Sequence, residues 1–114
     1  MSGGSPYLFT WDGSSNAWNT NHWGRGGVAP QYPGDTGDGL GLSTVIINLV
    51  SYQAPPTSGP AAAYSCKYMS INGFTSAACL NSNLTVTAAL YLGISNSDTV
   101  GILYTGKLGP NCAV

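Results

Sequence analysis

The sequence predicts an all-β fold, a short β-solenoid-like or β-sandwich domain with an N-terminal Trp-rich wrapped segment and long loops, and three observations lead there. No stretch of ten residues keeps an apolar 3.6-residue period, because Gly, Pro, Asn, Ser and Thr interrupt every candidate helix. Short β-branched runs, Ser43-Thr44-Val45-Ile46-Ile47-Asn48-Leu49-Val50 above all, are bounded by turn-forming residues. Trp11, Trp18 and Trp23 crowd near the start, with Gly, Asn and Asp between them supplying tight turns around large apolar anchors.

Taken in order, the strands are expected at Tyr7 to Trp11, Thr44 to Val50, Ser65 to Asn72, Leu84 to Leu92 and Val100 to Tyr104, with a weak one near Ala78 to Leu80. Ala61-Ala62-Ala63-Tyr64 is the exception in composition, and it is too short to stand as a helix. Asn72-Gly73 carries the residue pair of a type I′ turn, and Gly93, Ser95-Asn96-Ser97-Asp98 and Gly106 are further breaks. Two loops are long: Gly24 to Leu42, with Pro30 and Pro33, and the extended Gln53-Ala54-Pro55-Pro56-Thr57-Ser58-Gly59-Pro60. Such loops fit a single compact monomer poorly, so they are expected either to reach across a subunit interface or to float on the surface. Residues 1–42 form the wrapping segment and its loop, and 43–114 the strand body, of one domain.

The later strands hold a quasi-repeat: Met69-Ser70-Ile71-Asn72-Gly73, Asn83-Leu84-Thr85-Val86-Thr87 and Leu90-Tyr91-Leu92-Gly93. Each is a short apolar alternation closed by Asn, Gly or another small residue, the unit that a stacked solenoid rung requires. A sandwich would use similar strands in hairpins.

Trp11, Trp18, Asn21-His22-Trp23, Pro33-Gly34-Asp35-Thr36 and Val45-Ile46-Ile47, followed by Leu84-Thr85-Val86-Thr87-Ala88-Ala89-Leu90-Tyr91-Leu92-Gly93, together resemble the opening and first rungs of single-stranded β-helix modules. Those modules belong to autotransporter-like bacterial passenger proteins and to phage structural proteins, and they begin with a W…W…NW…P…GDT pattern before LTV-type rungs. The chain departs from that pattern where His22 separates Asn21 from Trp23, where Gly37 to Leu42 is inserted before the strand, and where Ala88-Ala89 replaces a glycine turn. The resemblance implies a β-solenoid and a structural role. A full passenger protein would carry many more rungs and an export signal, so a short chain beginning with Met is expected to be a virion component.

Composition narrows the partners. Charged residues are 6% of the chain and Glu is absent: the acids are Asp12, Asp35, Asp38 and Asp98, the bases Arg25, Lys67 and Lys107. Three cations cannot neutralise a phosphate backbone, so no nucleic-acid partner is expected. No apolar stretch is long enough to cross a bilayer, and the polar start lacks the basic and apolar regions of a signal peptide, so neither membrane insertion nor Sec export is expected. A hydrophobic content of 43% with twelve aromatic residues argues against disorder. Cys66, Cys79 and Cys112 lack a CxxC pair; either Cys66 and Cys79 form a disulfide or all three are buried thiols.

Catalysis has little to work with. His22 is the only His, which rules out a two-imidazole metal site and leaves any nucleophilic triad dependent on one residue inside the aromatic wrap. Asp35 and Asp38, flanked by Gly34, Gly37 and Gly39, are better read as capping turns than as a Ca²⁺ loop, since the distal Glu of an EF-hand is missing. Gly24-Arg25-Gly26-Gly27 lacks the Lys-Ser/Thr end of a P-loop. No catalytic, metal or cofactor-binding residues are assigned, and no enzyme activity is expected. Asn83-Leu84-Thr85 matches a glycosylation sequon but equally suits a strand.

The candidate anchor or interaction residues are Trp11, Trp18, Trp23, Tyr32, Tyr52 and Tyr64. The weakly charged surface and solenoid edges favour a homo-oligomer, most simply a trimer, or docking on the major capsid protein or another virion protein. The expected function is therefore a non-enzymatic virion structural protein on the capsid surface, a decoration or cement protein. Two alternatives are an adhesive or carbohydrate-binding module, with Trp18, Trp23 and Tyr32 facing a glycan, and an extracellular filament subunit.

Overall fold

The computed structural model describes residues 6–49, 53–72 and 83–92, with a further short strand at 107–108. Among these residues there is no helix, and five strands follow in chain order: β1 (Leu8–Thr10), β2 (Thr44–Asn48), β3 (Tyr64–Asn72), β4 (Leu84–Leu92) and β5 (Lys107–Leu108). They form one sheet in the order β1-β2-β3-β4-β5. Every pairing is parallel, with Leu8 opposite Thr44, Thr44 opposite Tyr68, Tyr64 opposite Leu84 and Thr85 opposite Lys107, offsets of 36, 24, 20 and 22 residues. Each strand thus lies beside the one that precedes it in sequence, and the chain must travel a full circuit to return in the same direction.

The alternation of side chains explains why these segments pair in this register. Phe9, Val45, Met69 and Leu90 occupy one row across four strands and are wholly or almost wholly buried. Ile47 and Ile71 form the next inward row, and Cys66 with Val86 and Tyr64 with Leu84 continue the core towards the other strand ends. A slip of one residue would turn each row to solvent, so burial itself specifies the register. At the end of the ladder the Asn72 side-chain amide donates to the Asn48 carboxamide oxygen at 3.2 Å, a polar closure of the stack. A register shift between Cys66 and Tyr68 inserts an extra β4 residue, and the Thr87 hydroxyl donates to the Cys66 carbonyl beside it.

The first four strands lie where the sequence places them, trimmed or extended by a residue or two. The expected strands at Val100 to Tyr104 and Ala78 to Leu80, and the Asn72-Gly73 turn, involve positions outside the described residues. Strand β5 at Lys107–Leu108 has no counterpart in the sequence reading.

The two long loops correct an expectation. Neither floats free of the fold, because both pack on their own chain. Pro30 and Pro33 are buried in the first, and Pro56, Gly59 and Pro60 in the second. The second loop is bonded to the Trp segment through Ala54 N–H to the Gly13 carbonyl, 2.9 Å, and Thr57 N–H to the Asn16 carbonyl, 2.8 Å.

Candidate functional site

Three features of the described residues bear on function, and the Trp segment is the first. Trp18 and Trp23 are fully buried and Trp11 nearly so, all three within the same core as the inward strand rows. Their rings form a connected set: Trp23 lies 4.8 Å from both Trp11 and Trp18, reaches Phe9 edge-on at 6.5 Å, and Trp18 reaches Tyr64 at 6.4 Å. Offset and edge-on pairs of this kind add to simple burial. Burying an indole also strands its N–H unless an acceptor is supplied. Here each one finds a backbone carbonyl at 2.8 Å: Trp11 donates to Ala54, Trp18 to Pro33 and Trp23 to Trp18. Trp11 and Trp18 thereby hold the two loops against the core, and Trp23 ties the Trp segment to itself.

The same segment closes an edge. On the side of β1 facing away from β2, Thr10 N–H donates to the Trp23 carbonyl at 3.2 Å, and just beyond the strand Asp12 N–H donates to the His22 carbonyl at 3.0 Å. An unpaired edge offers a template for another strand, and this one is occupied by backbone from the chain itself. His22 Nδ1 and the Asp12 carboxylate pair beside it. Burial pushes the Asp12 carboxyl up, but hydrogen bonds from the Ser14 hydroxyl and backbone N–H, together with His22, outweigh this and hold it below its ordinary value. Arg25 reaches across the loop, its guanidinium 4.8 Å from the Tyr7 ring centroid and its Nε donating to the Pro30 carbonyl.

The second feature is a buried polar cluster under the Gly-Asp-Thr turn. Asp35 accepts from Gln31 N–H and Thr36 N–H, which ties off the turn. Asp38 is almost completely buried and accepts from Gly34 N–H at 2.9 Å and from the Ser43 hydroxyl at 2.6 Å. Ser43 Oγ in turn accepts from Tyr7 N–H, so one carboxylate links the loop to the starts of both β1 and β2. Gly34 is required here: its φ is +98°, and a Cβ at that position would meet the Tyr64 ring at 3.2 Å. The Tyr64 hydroxyl is buried near Asp38 and Ser43 without completing a hydrogen bond of regular geometry. Burial first, and then the negative charge of Asp38, push its phenol well above the ordinary range. Both acidic side chains are thus engaged in turns and caps, and among the described residues no cluster of three His, Cys, Asp or Glu side chains could hold a metal ion.

The third feature is the outward face of the sheet. Leu8, Thr44 and Tyr68 form one row there, and Thr10, Ile46, Ser70 and Tyr91 the next. Tyr68 and Tyr91 are 36% and 53% exposed.

Of the six residues singled out in the sequence, the structure gathers Trp11, Trp18, Trp23 and Tyr64 into the core, with Tyr32 half-buried against it. Tyr52 lies outside the described residues, as do Cys79 and Cys112, while Cys66 is buried in β3. Sequence reasoning passed over Tyr68 and Tyr91, although the period-2 alternation that buries Met69 and Leu90 also turns their neighbours outward. It also passed over Ser43 as the partner of Asp38, a buried pairing that residue type alone does not reveal. Comparison with family models, with curated proteins and with solved structures finds no match to this chain.

Proposed function

We propose that the chain is a non-enzymatic structural protein of a virion surface, a capsid decoration or cement protein built as a short β-solenoid whose first rung is capped by the Trp segment. The observation that carries this reading is the parallel, sequence-ordered sheet whose first edge is closed by the backbone of His22 and Trp23. Parallel sheets ordinarily have helices on both faces, and no helix occurs among the described residues. Repeated circuits of 20 to 24 residues across β2, β3, β4 and β5 offer another way to cover one face, with each circuit burying its apolar row on the next. Stacked repeats need a terminal unit that stops further pairing, and the Trp segment has the form of one.

Such a module supplies a rigid, weakly charged surface for contact with like copies or with a capsid lattice. The rival platform of Trp18, Trp23 and Tyr32 is disfavoured, because two of its three rings are fully buried and cannot stack on a sugar. The test is co-sedimentation of the purified chain with emptied phage capsids, together with its mass by light scattering on a sizing column. Saturable binding at fixed stoichiometry, with a trimeric free mass, is expected. A chain left in the supernatant at saturating concentration overturns the reading. A monomeric mass with capsid binding retained removes only the trimer.

A further inference from the structure

The outward face of β2, β3 and β4 holds a groove of about 310 Å³ lined by Thr44, Ile46, Tyr68, Met69, Ser70 and Tyr91. Its origin is a mismatch of side-chain size in register. Ile46, Ser70 and Tyr91 stand side by side on successive strands, and the small Ser70 leaves a gap between two large neighbours. Tyr68, in the adjacent row, walls the gap along the strand direction, and Met69 lies at its floor with its side chain turned into the core. All six residues sit on strands, so the shape is fixed by the ladder rather than by a loop.

We propose that this groove binds a neutral saccharide, with a pyranose ring stacked on Tyr91 and its hydroxyls bonded to Ser70 and Thr44. Charge is the first reason. No lining residue is ionised, and the nearby Lys67 ammonium is held against the Tyr68 ring, so the groove matches an uncharged polyhydroxylated ligand. The second reason is alternation: aromatic and aliphatic surface is interleaved with the hydroxyls of Thr44 and Ser70, giving both flat apolar contact and hydrogen-bond partners. A second copy of the chain would be better served by a continuous apolar face. The two rings also differ in role. The Lys67 ammonium lies 5.4 Å from the Tyr68 ring centroid and occupies that ring, whereas Tyr91, the more exposed, is the stacking surface. The volume is at the low end of the ~300–1,000 Å³ typical of small-ligand clefts, enough for one or two sugar units.

This proposal goes beyond the virion role and is independent of it, since capsid docking and saccharide binding can each fail alone. The experiment titrates the intact chain with cellohexaose, maltohexaose, xylohexaose and mannohexaose by calorimetry, with polygalacturonate as an anionic control. Three variants accompany it: Tyr91→Ala, Tyr91→Phe and Ser70→Tyr, the last filling the gap while leaving both tyrosines in place. At least one neutral oligosaccharide should bind saturably and polygalacturonate should not. Tyr91→Ala and Ser70→Tyr should each weaken binding by about tenfold or more, and Tyr91→Phe by less than about threefold. Far-UV circular dichroism checks that each variant is folded, and Ser70→Tyr keeps the test decisive should Tyr91→Ala fail to fold. No binding of any neutral member up to about 10 mM, or binding that Ser70→Tyr leaves intact, overturns the proposal. So does a Tyr91→Ala chain that changes from oligomer to monomer while the wild type binds no sugar, because the face is then an interface between copies.

Discussion

Residues 11–42 and the strands β2 to β4 bury comparable side chains in one core, yet they are held in place by different means. In the sheet, order comes from repetition: inward apolar residues face one another from strand to strand, and the backbone ladder would persist if one side chain were trimmed. Apart from its two backbone bonds to the β1 edge, the Trp segment has no ladder. Its irregular backbone depends on three indoles, each fixed by one N–H to one carbonyl, and on one buried carboxylate. A repetitive region distributes its stability, whereas an irregular one concentrates it in a few anchors, so equal losses of side-chain volume should have unequal consequences in the two.

Truncating an anchor should break the contrast most visibly. Trp23→Ala removes a fully buried ring in contact with Trp11, Trp18 and Phe9, together with the N–H that holds the Trp18 carbonyl. A loss of about 3–5 kcal/mol is expected, a large fraction of the stability of a domain this size, and cooperative unfolding in denaturant should weaken or disappear. The same loss would also loosen the backbone that closes the β1 edge, so aggregation should accompany it. A variant as stable as the wild type would show that the indoles are not anchors.

Next in size is Asp38→Ala. It leaves the buried Ser43 hydroxyl and the Gly34 N–H without their acceptor, and hydrogen bonds to a charged group contribute about 1.5–3 kcal/mol each. We expect a destabilisation of about 2–4 kcal/mol by urea titration. Amide exchange should accelerate in 34–42 more than in β3. Uniform acceleration across both would mean that the carboxylate supports the whole fold rather than the loop. The matching change in the sheet is smaller: Ile47→Val trims one methylene from an inward row whose neighbour Ile71 remains, and should cost about 0.5–1.5 kcal/mol.

The same contrast governs how far the sequence could be read. Strands β2, β3 and β4 were legible because alternation and β-branching repeat along each of them, as in Thr44-Val45-Ile46-Ile47-Asn48 and Leu84-Thr85-Val86. Lys107–Leu108 was not, since two residues between Gly106 and Gly109-Pro110 carry no periodicity and pair with β4 only through tertiary context. Burial of the Trp cluster followed from ring size. The closure of the β1 edge did not, because its acceptors are the backbone carbonyls of His22 and Trp23, and a carbonyl has no signature in residue type. Tyr68, Ser70 and Tyr91 were visible as strand residues, but the gap between them depends on which strand lies beside which, and register across three strands is not written in any one of them.

Tyr64 joins the two regions, as the first residue of β3 and the neighbour of Trp18 and Gly34, and its hydroxyl sharpens the comparison with the smallest effect at neutral pH. The ring fills core space, whereas the buried hydroxyl lacks a hydrogen bond of regular geometry. Tyr64→Phe keeps the ring and removes the polar atom, so stability at pH 7 should be unchanged or raised by up to about 1 kcal/mol. The difference should grow with alkalinity. The folded phenol has its pKa raised by burial and by Asp38, so the folded chain keeps this proton while the unfolded chain releases it near pH 10. Above that pH the unfolded state binds fewer protons, and stability must fall as pH rises. The wild type should therefore lose stability more steeply than Tyr64→Phe between about pH 9.5 and 11, measured as the urea midpoint at each pH. Parallel curves for the two proteins would mean that the Tyr64 hydroxyl is solvated in the folded state, and that the Trp segment covers the end of β3 less tightly than its buried indoles imply.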